Sequence, residues 1–210
     1  LGDIGAFQLE FAFISHHTNE PIYAQRALQA LRILQKHPLK DTPGLYTTQV
    51  DGITANPASL IVTLNPPANT FFSNLFKLHM MFTRRVRWIS DMWSEVAKTI
   101  LEQLTLVSGS YFIPKTLDFG TKSSKSATET LNAGQEGQKD TYYSVSASAC
   151  STAGVFAVYS QHVEDSKLAK DVFSFGEGFE ALCVDMQQKS ASEIASESIS
   201  VNAALDLRME

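Results

Sequence analysis

The sequence predicts an all-α fold built from antiparallel helical hairpins. Apolar residues recur at helical rather than alternating spacing, Pro and Gly clusters fall between the periodic stretches, and paired stretches are joined by few residues. Leu1, Ile4, Phe7, Phe11 and Ile14 are spaced 3, 3, 4 and 3 apart, which is one face of a helix. Leu9 and Phe13 add apolar surface on the other side, so this first helix is expected to be buried around much of its girth. It ends within residues 15–19, and Pro21 stands where a first helical position tolerates its missing N–H. Ala24, Ala27, Leu28, Leu31 and Leu34 form the stripe of a second helix. Arg26, Gln29, Arg32 and Lys36 are its wet face, and Pro38 follows its end.

Residues 38–70 hold five of the seven prolines and read as loop, with a short strand at 60–64. Helix resumes with Phe71, Phe72, Leu75, Phe76 and His79 on one face. Ile89, Met92, Trp93, Val96, Ile100 and Leu104 then make the stripe of a further helix, and Arg84, Arg85 and Arg87 lie between the two. This is a second hairpin. Residues 111–119 read as a strand that Pro114 demotes to an edge. From 120 to 148 Ser, Thr, Lys, Gly, Gln and Glu dominate and apolar periodicity disappears, so a flexible polar insertion is expected. Two more helices follow at 149–161 and 166–186, the second interrupted by Gly176 and Gly178.

At 210 residues and 23.1 kDa the chain suffices for one domain or a piece of a larger one. Seventeen Lys and Arg against 22 Asp and Glu give a net charge of −5, without the basic footprint a nucleic-acid partner requires. Thirteen Phe and two Trp exclude wholesale disorder. No segment reaches the roughly 18 uninterrupted apolar residues of a spanning helix. The first residue is not Met and no signal-peptide pattern is visible, so a processed or truncated start is expected.

Cys150 and Cys183 are too few for a four-ligand zinc site and read as either one bridge or two buried thiols. His16 and His17 are adjacent, which on a helix points them apart, so no metal site is assigned. Residues 172–181, Val-Phe-Ser-Phe-Gly-Glu-Gly-Phe-Glu-Ala, fit a dinucleotide fingerprint, and Glu197 stands about where its ribose acid would. The fingerprint fails on context, because 187–192 is polar rather than a second parallel strand. No P-loop, His-Glu-x-x-His or Gly-x-Ser-x-Gly is present.

A family resemblance enters through residues 1–11, Leu-Gly-Asp-Ile-Gly-Ala-Phe-Gln-Leu-Glu-Phe, followed by Thr18-Asn-Glu-Pro-Ile-Tyr23 and Gly44-Leu-Tyr46. These resemble the helix, hairpin turn and loop of the class I α-mannosidases, glycoside hydrolase family 47, most closely over residues 1–52. In that register Asp3 takes the place of an active-site Glu, and Glu10 is the glutamate of the Leu-Glu-Phe. Further on, 69–77, Asn-Thr-Phe-Phe-Ser-Asn-Leu-Phe-Lys, is similar to the family's Asp-Ser-Tyr-Tyr-Glu-Tyr-Leu-Leu-Lys, followed by a helix that Asp91-Met-Trp93 fits. Asn69 stands at a catalytic carboxylate position and Ser73 at a glutamate. Cys150, Gly154 and Phe156 resemble the family's His-Leu-x-Cys-Phe-x-Gly-Gly-x-Phe, with Ala147 at the histidine. Ile194-Ala-Ser-Glu197 resembles Ile-Gly-Pro-Glu, and Leu207-Arg-Met-Glu210 resembles Leu-Arg-Pro-Glu, whose glutamate is catalytic.

The resemblance implies part of an (αα)7 barrel that trims α-1,2-linked mannose from N-glycans by an inverting mechanism. Such chemistry needs two carboxyl groups about 6.5–9.5 Å apart, one donating a proton to the leaving oxygen and one activating water. The implied assignment makes Glu210 and position Asn69 catalytic and gives Asp3, Glu197 and Arg208 to substrate. Asn69 cannot ionise, so turnover is expected to be impaired. Met209 removes the proline beside Glu210, whose fixed φ would help aim it. The resemblance also implies a Cys150–Cys183 disulfide, a high-mannose N-glycan or glycoprotein partner, a secretory-pathway or secreted location, and calcium, though the family's calcium-ligand segment has no counterpart here. The alternative is a non-catalytic high-mannose glycan-binding or helical interaction module, with a scaffold lacking any sugar site as a third reading. As a section of a larger barrel, the chain is expected to expose apolar helix faces at its edges.

Overall fold

The computed structural model describes residues 1–39, 42–82, 86–120, 140–188 and 198–200. The fold is mostly helical, as expected. The N-terminal apolar stretch is two helices, α1 (Gly2–Ala6) and α2 (Gln8–Thr18), meeting at Phe7. Asn19, in the left-handed conformation at φ 56°, ends α2, and Pro21 caps α3 (Ile22–Gln35). The α2–α3 hairpin is tied where the Gln8 side-chain amide donates to the Ala27 carbonyl at 3.2 Å and the Ser15 hydroxyl accepts from the Ala24 N–H at 2.8 Å.

The expectation that the first helix is buried on most sides is corrected. Gln8 and Ala12 are the buried residues of α2, while Phe7 and Phe13 are 57% and 60% exposed. The apolar stripe has its helical spacing, but α3 and α4 cover only part of it. An apolar edge on α1 and α2 is what a section of a barrel should expose.

The loop between the hairpins carries a two-residue strand, β1 (Ile61–Val62), inside the segment expected to be strand. It leads to α4 (Ala68–Phe82) and the antiparallel α5 (Arg87–Gln103). Helix α1 packs on the start of α4 through two glycines. A Cβ at Gly2 would lie 2.8 Å from the Pro67 carbonyl oxygen, and one at Gly5 would lie 2.9 Å from the Phe71 ring. The loop ahead of β1 is anchored to α5 by the Thr99 hydroxyl, which donates to the Pro43 carbonyl at 2.6 Å. Tyr46, buried beside it, has its phenol pKa pushed up, first by burial and then by Glu95. Arg32 of α3 lies 4.4 Å over the Trp88 ring of α5.

Beyond α5 the chain departs from a purely helical reading. β2 (Thr105–Ser108) and β3 (Tyr111–Pro114) form an antiparallel hairpin, with Pro114 opposite Thr105 at its end. The expected strand over 111–119 is therefore two strands in different sheets, because β4 (Thr116–Asp118) pairs with β1 on one side and β5 (Asp140–Tyr142) on the other. β6 (Ser144–Ser146) pairs with β7 (Ser198–Ser200). Residues 140–148, read as insertion, are thus largely strand and turn, while 121–139 lie outside the described residues. A 3-10 turn (Ala147–Cys150) leads into α6 (Ser151–Ser160), and α7 (Ser166–Gln188) returns against it. Asp165 caps α7 by accepting from the Lys167 and Leu168 N–H groups, and those bonds hold its carboxyl pKa low.

Gly176 and Gly178 do not interrupt α7, as the sequence suggested. They let it be approached from two sides. A Cβ at Gly176 would lie 3.0 Å from the Ala153 carbonyl oxygen and the Ala157 nitrogen of α6. One at Gly178 would lie 2.7 Å from the Ser110 carbonyl oxygen and 2.5 Å from the Phe112 ring at the β2–β3 hairpin. The Cys150–Cys183 disulfide closes the same α6–α7 unit over 33 residues, a loop for which chain entropy predicts about 3–4 kcal/mol of stabilisation.

The core runs through these helices as aromatic contacts. Trp93 of α5 meets Phe76 of α4 at 5.2 Å and Tyr159 and Phe156 of α6 at 5.4 and 5.8 Å. Phe156 meets Phe175 of α7 at 4.6 Å. Among the described residues no helix is long and apolar enough to cross a membrane.

Gly178→Ala will destabilise the protein although alanine is the better helix former by about 1 kcal/mol. The backbone of the β2–β3 turn stands where the methyl must go, and overpacking of this kind costs about 1–3 kcal/mol. A lowered urea midpoint with unchanged helical circular dichroism is expected, and a raised one would mean the hairpin yields freely. His79, buried beside Phe76 and Tyr159, gives a second test. Burial, then repulsion from His162, lowers its pKa. The unfolded chain therefore binds its proton more readily than the native one. Its contribution is complete above the unfolded value of about 6.5 and is lost as pH falls toward the lowered native value. The urea midpoint of the native chain should drop between pH 8 and pH 5, and His79→Gln should shrink that drop.

Candidate functional site

The residues assigned from sequence fall into three groups. Asp3 projects from α1 into solvent at the rim of a groove of about 680 Å³ between α1, α2 and α3. Ile4, Phe7, Phe11, Tyr23 and Arg26 contribute to its walls. Asn69 is not part of this groove. Glu197, Arg208 and Glu210 lie outside the described residues, as do Arg84 and Arg85.

Asn69 is in the first turn of α4 and only 8% exposed. Its side-chain N–H donates to the Ser148 carbonyl in the 3-10 turn before α6 at 2.9 Å. Its amide oxygen is buried with no hydrogen-bond partner among the described residues. Ser73, one turn along α4, also has a buried hydroxyl without a partner among them. Ala147, which the resemblance sets at a histidine, is next to Ser148 and half-buried. Three of the positions at which the resemblance places ionisable groups are thus held by an amide, a hydroxyl and a methyl.

Asn65 explains how this arrangement is held. In the turn before α4, its amide nitrogen donates to the Ser144 carbonyl at 3.0 Å, and its amide oxygen accepts from the Ser146 N–H at 2.9 Å. This double contact fixes β6 against the start of α4 and sets the 3-10 turn over Asn69. Sequence reasoning missed Asn65 and Ser148. An Asn-Pro-Pro reads only as a turn, and a backbone carbonyl far away in sequence leaves no signal in composition or period.

Chemically, Asn69 acts as a donor to a carbonyl. An ionised carboxylate in its place would set two acceptors against each other, so the position as built suits an amide and not a base. Among the described residues no three His, Cys, Asp or Glu side chains converge to hold a metal ion. Cys150 and Cys183 are bonded, and their bridge pins the turn carrying Ser148 to α7.

The glycosyl hydrolase family 47 model matches residues 1–208. Mannosyl-oligosaccharide 1,2-alpha-mannosidase MNS1 of Arabidopsis thaliana is 30% identical over 103 residues, which are 48% of this chain and 18% of that protein. An alpha-1,2-mannosidase from Trichoderma reesei has the same fold with a TM-score of 0.73 at 18% identity, covering 94% of this chain and 37% of its own. The chain therefore spans well under half the length of these relatives. With its run of antiparallel helical hairpins matching that solved fold and the family model spanning almost its whole length, the chain belongs to glycosyl hydrolase family 47.

Proposed function

We propose that this chain is a segment of a glycosidase that releases α-1,2-linked mannose from high-mannose N-glycans, and that its own site is impaired in turnover. The observation carrying the proposal is the family match over residues 1–208, supported by two relatives that are both named 1,2-alpha-mannosidases. The chemistry asks for one carboxyl group to protonate the leaving oxygen and a second to activate water on the opposite face of the sugar. Glu210 is the carboxylate the family register offers. Position 69 offers an amide already committed to a backbone carbonyl, which can neither take a proton from water nor give one to a leaving group.

Calcium belongs to the family reading, but the described residues do not fit it. A hard cation of this size takes six to eight oxygen ligands, several of them carboxylates as a rule, and no such acidic cluster forms among them. A secretory-pathway lumen or extracellular location is supported by the disulfide, which persists in oxidising compartments.

The burial of Asn69 favours a second reading, a non-catalytic glycan-binding or interaction module. Incubating the chain with a high-mannose glycan separates the two. Released mannose supports the glycosidase. Calorimetric binding without release supports the module, and neither binding nor release would overturn both.

Restoring the acid should not restore activity. Asn69→Asp is expected to lower stability at pH 7, because the ionised group is buried against the Ser148 carbonyl. Burial raises the carboxyl pKa above its unfolded value of about 3.9, so stability is kept at acid pH and lost as pH rises through the native value. A urea midpoint closer to that of the native chain at pH 4 than at pH 7, with no gain in mannose release, is the expected result.

A further inference from the structure

The groove between α1, α2 and α3 has a volume of about 680 Å³ and walls that are mostly apolar. Ile4, Phe7 and Phe11 line it from the α1–α2 side, and Ile22, Tyr23 and Ala27 line it from α3. The Phe7 and Phe11 rings lie edge to face at 6.5 Å. Much of this surface is open to solvent, since Phe7 is 57% exposed, Ile22 45% and Tyr23 40%. Large apolar side chains gathered at one place on a surface mark a contact site.

The exposure and charge of the walls decide what covers them. A small-molecule pocket buries roughly 70–90% of its ligand's surface, whereas three of the largest side chains here are themselves about half exposed. A broad partner fits such a trough better than a small one. The lining residues include two charges, Asp3 from α1 and Arg26 from α3. Both are exposed, and among the described residues no ion pair joins them. A patch with apolar walls, one acid and one base is complementary to itself. In a twofold contact residue i of one copy meets j of the other and j meets i, so the acid of each copy can meet the base of its mate. The chain carries a net charge of −5, which disfavours contact between copies in general, but the groove is balanced in charge.

We propose that the groove between α1, α2 and α3 is the interface of a twofold dimer of this chain, in which Asp3 of each copy pairs with Arg26 of the other and Phe7, Ile22 and Tyr23 become buried. The dimer gives Asp3 a role toward a second copy rather than toward a sugar. It does not depend on whether the chain acts on a glycan.

Sedimentation equilibrium of the native chain over a concentration series should show a reversible monomer–dimer equilibrium. Asp3→Arg and Arg26→Asp each bring like charges together at both contacts of the twofold. Each should weaken the dimer at least about tenfold, with helical circular dichroism unchanged. An equimolar mixture of the two variants restores an opposite-charge pair at both contacts, so a heterodimer of near-native affinity is expected. A native chain that stays monomeric at every concentration overturns the proposal whatever the variants do, and so does open-ended association in place of a closed dimer. A dimer that neither reversal weakens places the contact on another face and overturns it as well. So does a mixture that stays monomeric while both variants keep their circular dichroism.

Discussion

The parallel pairing of α4 with α6 is the constraint on which the rest of the structure depends. Two asparagines set it. Asn65 holds β6 by both ends of its amide, and Asn69 holds the turn that follows. With those bonds made, α6 starts in register with α4, and Tyr159 arrives beside Phe76 and His79. Trp93 then finds partners on both helices, so α5 is fixed by the same register that fixes α6. Long-range polar bonds choose the register, and buried aromatic area supplies most of the stabilisation once it is chosen.

On the far side of α6, α7 is held by absence of side chain and by a covalent bond. Gly176 brings α6 close, Gly178 brings the β2–β3 hairpin close, and Cys183 bonds to Cys150. Because Cys150 follows Ser148 so closely, the disulfide also steadies the carbonyl that Asn69 binds. The base of α4, the 3-10 turn and α7 therefore behave as one joint.

Much of this fold was legible in the sequence. Most of the helices announced themselves by apolar spacing, although α1 and α2 were read as one, and Pro21 and Pro38 marked where α3 begins and ends. The family register also pointed to the cysteine pair. The strands were less visible, because pieces of two to four residues are too short for alternation to be read, and β2 begins directly after Leu104 ends the stripe of α5. The glycines of α7 were misread as breaks, since sequence shows a missing Cβ but not the neighbour that needs the room. At the candidate site, Asn69 was singled out through the family register, and the structure shows its amide buried and bonded to the Ser148 carbonyl. That the amide is spent on the Ser148 carbonyl depends on a backbone atom, and a side-chain alphabet does not record it.

On the proposed function, the chemistry needs two carboxyl groups, whereas Asn69 is a buried amide bonded to the Ser148 carbonyl. The chain's kinship with glycosyl hydrolase family 47 lies in the helical frame. The most direct test is a crystal structure of the protein soaked with a high-mannose glycan. The account predicts that the Asn69 amide nitrogen stays within hydrogen-bond distance of the Ser148 carbonyl and that no sugar atom touches residue 69. A mannose ring in contact with Asn69, with its bond to Ser148 broken, would contradict it.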